Sequence, residues 1–224
     1  MIDLPNVTLF CISSDNVQGA LFALQTSMRG IEYGEIKLIT HEDPGDLPSG
    51  IEFSQCPEIK SIHEYNYYCI YNLTNHIDTE YCLLVQPDGF VINPQKWEDD
   101  WFNYDYIGAP WYEAPDAYID PWGKQHRVGN GGFSFRSKKL LDVPKRAHIQ
   151  FDVNWGDFYK HMDVGSTSED GNICVHNRHI YEALGCKFAP IEVAARFSHE
   201  KSIPETQGIT PFGFHFHLPA GTQL

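Results

Sequence analysis

Apolar runs alternate with polar, turn-forming stretches along the first 90 residues of the chain. VTLFCI at 7–12 reads as a strand. Ser13-Ser14-Asp15-Asn16 follows with the side chains that cap helix N-termini. VQGALFALQTSM at 17–28 places Leu21, Leu24 and Met28 at helical spacing, Gly30 ends the helix, and EIKLIT at 35–40 is a second strand. This opening strand–helix–strand predicts an α/β sheet with parallel pairing. Residues 41–58, rich in Pro and Gly, predict a loop with one short strand near 51–53, and 65–77 a second helix. The next run, YCLLVQPDGFVINP at 81–94, is apolar in succession from Cys82 to Val85, as in a strand covered on both faces.

Beyond residue 90 the pattern loosens. A short helix is expected after Pro94, a short strand at about 104–109, and a Pro-rich loop at 110–127. VGNGGFSFRS at 128–137 reads as a Gly-rich turn entering a strand, with a short helix over KKLLDV. Residues 142–168 are poorly periodic. The span 168–185 predicts the strongest late helix, capped by Ser168 and stopped by Gly185, and CKFAP after it predicts a strand. No repeat, low-complexity tract or linker divides the chain. The expectation is one α/β domain: a mostly parallel sheet flanked by helices, with a regular first half and an irregular C-terminal half.

Composition narrows the function classes. At 224 residues with 42% hydrophobic and 21% charged residues, the chain is expected to bury one substantial core. A formal charge of −14 argues against nucleic acid, whose phosphates are bound through Lys and Arg, and against anionic membrane surfaces. It leaves open a small anionic ligand held through a divalent cation. The opening MIDLPNVTLF lacks the basic and apolar regions of a signal peptide, and no run reaches the length of a membrane span. Six scattered cysteines without a C-x-x-C pair read as core residues in a reducing compartment, so a cytoplasmic location is expected.

Candidate chemistry lies at four places. Gln86-Pro87-Asp88-Gly89 throws a carboxylate out at a strand end, where open α/β sheets bind ligands, although the turn explains the residues equally well. Gln86 and Asp88 offer the oxygen donors that Mg²⁺ and Mn²⁺ prefer, and His215 and His217 in FGFHFH, two apart on one face of an extended segment, could complete a metal site. Glu169-Asp170 opens the late helix, as general base or simply as acidic residues favoured by the helix dipole. The glycines of GNGGFSFR imply close backbone approach to a ligand or an unusual turn. The dinucleotide G-x-G-x-x-G, the P-loop and the hydrolase G-x-S-x-G are all absent. Four of the five tryptophans fall within 97–122 beside several tyrosines, as core or as a sugar-stacking wall.

Taken in order, LLVQPDGFVINPQKW, YDYIGAPW, VGNGGFSFRSKKLL, EDGNICVHNR, FAPIEVAARFSHE and PFGFHFH resemble the GT-A class of nucleotide-sugar glycosyltransferases. They are more closely similar to a domain family of unknown function placed near that class, and cover most of residues 5–217. The resemblance implies a Rossmann-like GT-A fold with a nucleotide-binding half over about 1–95 and an acceptor and catalytic half over about 96–224. It also implies transfer of a sugar from a nucleotide-sugar donor to the hydroxyl of a glycan or other acceptor, with Mn²⁺ or Mg²⁺ and inversion. By the same resemblance Ser13, Ser14 and Asp15 meet the nucleotide, and Asp88 holds the metal with His215, or with His217 as second choice. Gln86 stands where the D-x-D motif has its first Asp. Gly131, Gly132 and Arg136 lie under the donor sugar, and Asp170 is the base with Glu169 as alternate. The alternative readings are a catalytically degenerate nucleotide- or glycan-binding module, a retaining transferase, and, ranked last because SSDNVQG after the first strand holds no Lys or Arg, a sugar-phosphate nucleotidyltransferase.

Overall fold

The computed structural model describes residues 1–115, 117–151 and 168–222. In chain order the elements that build the framework are β1 (Ile2–Ile12), α1 (Val17–Ser27), β2 (Ile31–Thr40), β3 (Glu52–Gln55), α2 (Ile62–Tyr71), β4 (Tyr81–Leu84), β5 (Tyr106–Ile107) and β6 (Ser134–Ser137). After β6 come α3 (Lys138–Leu141), α4 (Val143–Arg146), α5 (Glu169–Gly171), α6 (Arg178–Ala183), α7 (Ile191–Phe197), β7 (Ser198–His199) and β8 (Gly213–Phe214).

Among the described residues the main sheet runs β3-β2-β1-β4-β6-β5, with β3, β2, β1 and β4 parallel and β6 antiparallel to both of its neighbours. This is the mostly parallel, helix-flanked α/β sheet that the apolar runs predict. Alternation along the central strands sends side chains to two cores. Leu9, Cys11, Leu38, Leu83 and Phe135 pack with Ala20, Ala23 and Leu24 of α1 and with Phe197 and Phe212. Phe10, Ile12, Ile39, Cys82 and Leu84 pack with Cys69 and Ile70 of α2, Leu140 of α3 and Tyr181 of α6. Both faces are covered, which is why 82–85 is continuously apolar. Each buried Leu, Ile or Phe among them contributes about 1.5–3 kcal/mol.

The helix starts follow their caps. Asn16 Oδ1 accepts from Gly19 N at 2.9 Å, Ser61 Oγ from Glu64 N at 3.2 Å, and Ser168 Oγ from Gly171 N at 3.2 Å. The single late helix expected over 168–185 is instead three pieces: α5, a π-helical turn at Asn172–His176, and α6. Asn172 Nδ2 donates to the Gln150 and Phe151 carbonyls, and Asn177 Nδ2 to Gln150 O and Asn172 Oδ1. These ties hold the chain wider than α-helical winding, the arrangement of a π-bulge. CKFAP is not a strand either. Phe188 makes one isolated bridge to Tyr106, and Pro190 then serves as the N-cap of α7. Within the poorly periodic stretch, 152–167 lies outside the described residues.

Two features aim this framework at one cleft. β1 is flanked by parallel strands on both sides, so its carboxyl end and that of β4 mark the point where the winding reverses, the usual ligand crevice of such sheets. The small parallel pair β7–β8 then sets Glu200 and His215 side by side just past its end, with His215 N donating to His199 O at 2.8 Å.

Candidate active site

The larger part of the cleft is a cavity of about 860 Å³ between the ends of β1 and β4. Ser13, Ser14 and Asp15 form one wall, Gln86, Pro87 and Asp88 another, and Ile62 and Tyr65 reach in from α2. Ser13 Oγ donates to Asp15 Oδ1 (3.1 Å) and accepts from Asn16 N (3.0 Å), while Ser14 Oγ accepts from Ile59 N (3.0 Å). The two hydroxyls thus hold the loop in shape, and Asp15 stays exposed at its rim.

The turn after β4 is closed by Gln86 N to Gly89 O at 2.8 Å and Gly89 N to Gln86 O at 2.9 Å. Phe216 N donates to Asp88 O at 2.8 Å, which ties the turn to the C-terminal segment. The Asp88 side chain is 51% exposed and its Oδ1 lies 3.8 Å from His215 Nε2. Gln86 has both ends of its amide engaged: Nε2 donates to Tyr65 Oη at 2.7 Å, and Oε1 faces His215 Nε2 at 3.1 Å.

Ile62, Tyr65 and Gln86 also line a second cavity of about 350 Å³. It gathers Trp111, Tyr112 and Tyr118 with Asn130, Gly131, Gly132, Glu169, Asp170, Glu200 and His215. The glycines are required by space. A Cβ on Gly131 would come within 1.7 Å of Glu169 Oε1, and one on Gly132 within 2.1 Å of His215 Nε2. The neighbouring carboxylates of α5 differ in kind. Glu169 is buried and accepts at 2.7 Å from Arg136, which also donates to Ser134 Oγ (2.9 Å) and to Gly131 O (3.3 Å). Among the described residues no cation pairs with Asp170. Its oxygens accept from Gly131 N at 3.2 Å and Gly171 N at 2.7 Å, and burial together with the Glu169 charge pushes its pKa up to about 6. A carboxylate so placed, beside a cavity, is suited to take a proton near neutral pH.

Two sequence expectations are corrected here. Arg136 lines neither cavity: it is 0% exposed, with its guanidinium paired with Glu169 and set over the Tyr106 ring at 5.2 Å. His215 and His217 do not share a face of an extended segment, because Phe216 between them turns to φ +65. His215 lines the cavity, whereas His217 is exposed. Ser13, Ser14, Asp15, Gln86 and Asp88 gather at the first cavity, and Gln86, Gly131, Gly132, Glu169, Asp170 and His215 at the second.

Sequence reasoning assigned no role to Tyr65, Asn130 or Glu200. Glu200 directly follows β7, a strand of two residues too short to be read from the sequence. Burial works against its charge, but His215, the Asn130 amide and Lys201 outweigh it and hold the carboxyl below its ordinary pKa. For His215, burial is outweighed by the carboxylates of Glu200, Asp88 and Asp170, and its pKa is raised. Among the described residues no three His, Cys, Asp or Glu side chains cluster as a metal site. Asp88 and His215 nonetheless suit a cation that is completed by other oxygens. Their 3.8 Å separation can bracket an ion with bonds of about 2.1 Å, and Mg²⁺ sites commonly use one or two carboxylates plus substrate phosphates.

The class defined by this sheet is the GT-A-type α/β fold, and solved glycosyltransferases share it. A glycosyltransferase involved in the glycosylation of the major capsid of PBCV-1 superposes with a TM-score of 0.51 at 14% identity, over 97% of this chain and 94% of that one. The galactosyltransferase LgtC, in complex with donor and acceptor sugar analogs, gives 0.55 at 13% identity, over 95% and 88%. An active-site mutant of LgtC gives 0.56 at 14%, with the same coverage. Among curated proteins, none matches the sequence. Residues 50–215 match the family described as "Protein of unknown function (DUF5672)", and the chain belongs to that family. No helix among the described residues is long and apolar enough to cross a membrane.

Proposed function

We propose that this protein transfers a sugar from a nucleotide-sugar donor to an acceptor hydroxyl, with inversion. The observation that carries the reading is Asp170: a buried carboxylate with a pKa near 6, on the wall of one cavity that adjoins, across Gln86, the strand-end cleft of Asp88. The nucleotide occupies the larger cavity at Ser13, Ser14 and Asp15. The diphosphate lies toward Asp88 and His215, which would hold Mn²⁺ or Mg²⁺. When bound, the cation neutralises charge on the departing diphosphate. The sugar extends past Gln86 and over Gly131 and Gly132 into the smaller cavity. There Asp170 removes the proton of the acceptor hydroxyl as the oxygen attacks the anomeric carbon from the face opposite the leaving group. Glu169, neutralised by Arg136, is a positioning residue rather than the base.

In this reading the chain is one domain, with the donor half over about residues 1–95 and the acceptor half over about 96–224, and six free, buried cysteines support a reducing, cytoplasmic setting. One observation favours a second reading, a nucleotide- or glycan-binding module without turnover. The residue at the first D-x-D position is Gln86, whose amide is already engaged by Tyr65 and His215. A screen of nucleotide sugars against mono- and disaccharide acceptors, read by mass spectrometry with Asp170→Asn as control, separates the two. A glycosylated product made by wild type and lost in Asp170→Asn supports the transferase. Nucleotide binding with no product from any pair leaves only the module.

A further inference from the structure

Three polar groups of the smaller cavity have no part in the transfer chemistry just described: the Asn130 amide, the Glu200 carboxylate and Nδ1 of His215. Asn130 is 2% exposed and held at φ +63, a left-handed conformation that non-glycine residues adopt at a cost and that recurs at binding sites. Its Oδ1 accepts from Gly132 N at 3.2 Å, while its Nδ2 is buried and makes no direct hydrogen bond, although the Glu200 carboxylate lies near it. His215 Nδ1 is likewise buried without a direct hydrogen bond, and faces Glu200 Oε1 as an ion pair at 3.9 Å. Unsatisfied buried groups of this kind are costly, about 1–3 kcal/mol each, and two beside one carboxylate in one cavity call for an explanation.

An amide N–H donor next to a carboxylate matches a hydroxyl, which donates one hydrogen bond and can accept two. The rest of the lining fits the same ligand. Trp111, Tyr112 and Tyr118 offer aromatic surface to C–H faces, and 350 Å³ is at the small end of ligand pockets, room for a sugar ring rather than a long chain. We infer that Asn130 and Glu200, beside His215 Nδ1, form a hydroxyl-reading subsite for a neutral sugar ring: Asn130 Nδ2 donates a hydrogen bond to one sugar hydroxyl, and Glu200 accepts a hydrogen bond from that same hydroxyl. The ligand class rests on the transferase reading. The hydroxyl belongs to the transferred sugar or to the acceptor, and the chemistry is the same for both.

Two variants test the subsite with little change of shape. Glu200→Gln exchanges an accepting oxygen for a donating amide, and Asn130→Gly keeps the left-handed backbone. The donor arm is calorimetry, in Mn²⁺, of UDP and GDP against UDP-glucose, UDP-galactose and GDP-mannose. The acceptor arm is saturation-transfer NMR with the methyl glycosides of glucose, galactose and mannose. Both variants are expected to bind the bare nucleotides as wild type does. They are expected to lose at least about tenfold of the sugar-dependent affinity in the donor arm if the hydroxyl is the donor's, or the NMR contact if it is the acceptor's, since hydrogen bonds to charged groups are worth about 1.5–3 kcal/mol. Sugar contacts unchanged in both variants, or absent from wild type in both arms, overturn the subsite. So does weaker Mn²⁺ binding by Glu200→Gln with sugar contacts intact, which would make Glu200 a partner of His215. Failure of every nucleotide to bind sinks the transferase reading alone, because the methyl-glycoside arm still decides the subsite.

Discussion

Asp88 and Asp170 are carboxylates on one cleft, and their surroundings differ in ways that suit them to the opposite tasks proposed for them. Asp88 sits on a two-bond turn at a strand end, half in solvent, with an imidazole 3.8 Å away. Asp170 is buried on a short helix, receives the backbone N–H groups of Gly131 and Gly171, and sits beside a second carboxylate whose charge is met from below by Arg136. Solvent and flanking histidine leave the first free to hold a cation. Burial and a like charge raise the proton affinity of the second. In the proposed reaction one residue type serves as ligand and as base because one site is wet and the other dry.

The comparison breaks first at Asp170. Asp170→Asn removes the base and keeps the shape, so transfer is expected to fall about 10²–10⁴-fold with nucleotide affinity unchanged, as measured by turnover and calorimetry. Equal loss of both would place Asp170 in the fold rather than in the chemistry. Next is the pair beneath it. Arg136→Met strands the buried Glu169 charge and is expected to cost about 3–5 kcal/mol of stability in urea denaturation, whereas Arg136→Met with Glu169→Gln recovers much of that loss. An additive double variant would show the pair to be uncoupled.

The smallest expected effect is the dependence on pH. Because the Asp170 pKa in the folded protein is raised from 3.8 to about 6, the folded state holds this proton where the unfolded chain has lost it. The contribution to stability is therefore full below about pH 4 and lost as pH rises through 6, about 3 kcal/mol in all. Asp170→Asn escapes that loss, so its stability relative to wild type is expected to climb between pH 4 and 7. The acid limb of the wild-type rate profile is expected near pH 6, and Glu169→Gln, which removes the neighbouring negative charge, should move it to lower pH.

How far the sequence reaches is clearest in these same elements. The run from Cys82 to Val85, the caps at Asn16 and Ser168 and the turn at Gln86–Gly89 are local features, and periodicity and turn chemistry locate them. The cause of the π-turn is not local: Asn172 and Asn177 are held by the carbonyls of Gln150 and Phe151 more than twenty residues away. Arg136 reads as a ligand-binding cation until its partner, Glu169, is found 33 residues later in a dry interior. The two-residue spacing of His215 and His217 implies a common face only if Phe216 is extended, and its left-handed turn removes that premise. Glu200 enters the site through the short β7–β8 pairing, which a two-residue strand does not announce.

The central claim is that this cleft binds a nucleotide sugar through Asp88 and a divalent cation. Calorimetry of a nucleotide-sugar panel on wild type and Asp88→Ala, with and without Mn²⁺, tests it most directly. The account predicts Mn²⁺-dependent binding of one nucleotide class by wild type and its loss in a folded Asp88→Ala. Binding of no donor, or binding indifferent to both Mn²⁺ and Asp88, would contradict it and return Asp88 to the status of a turn residue.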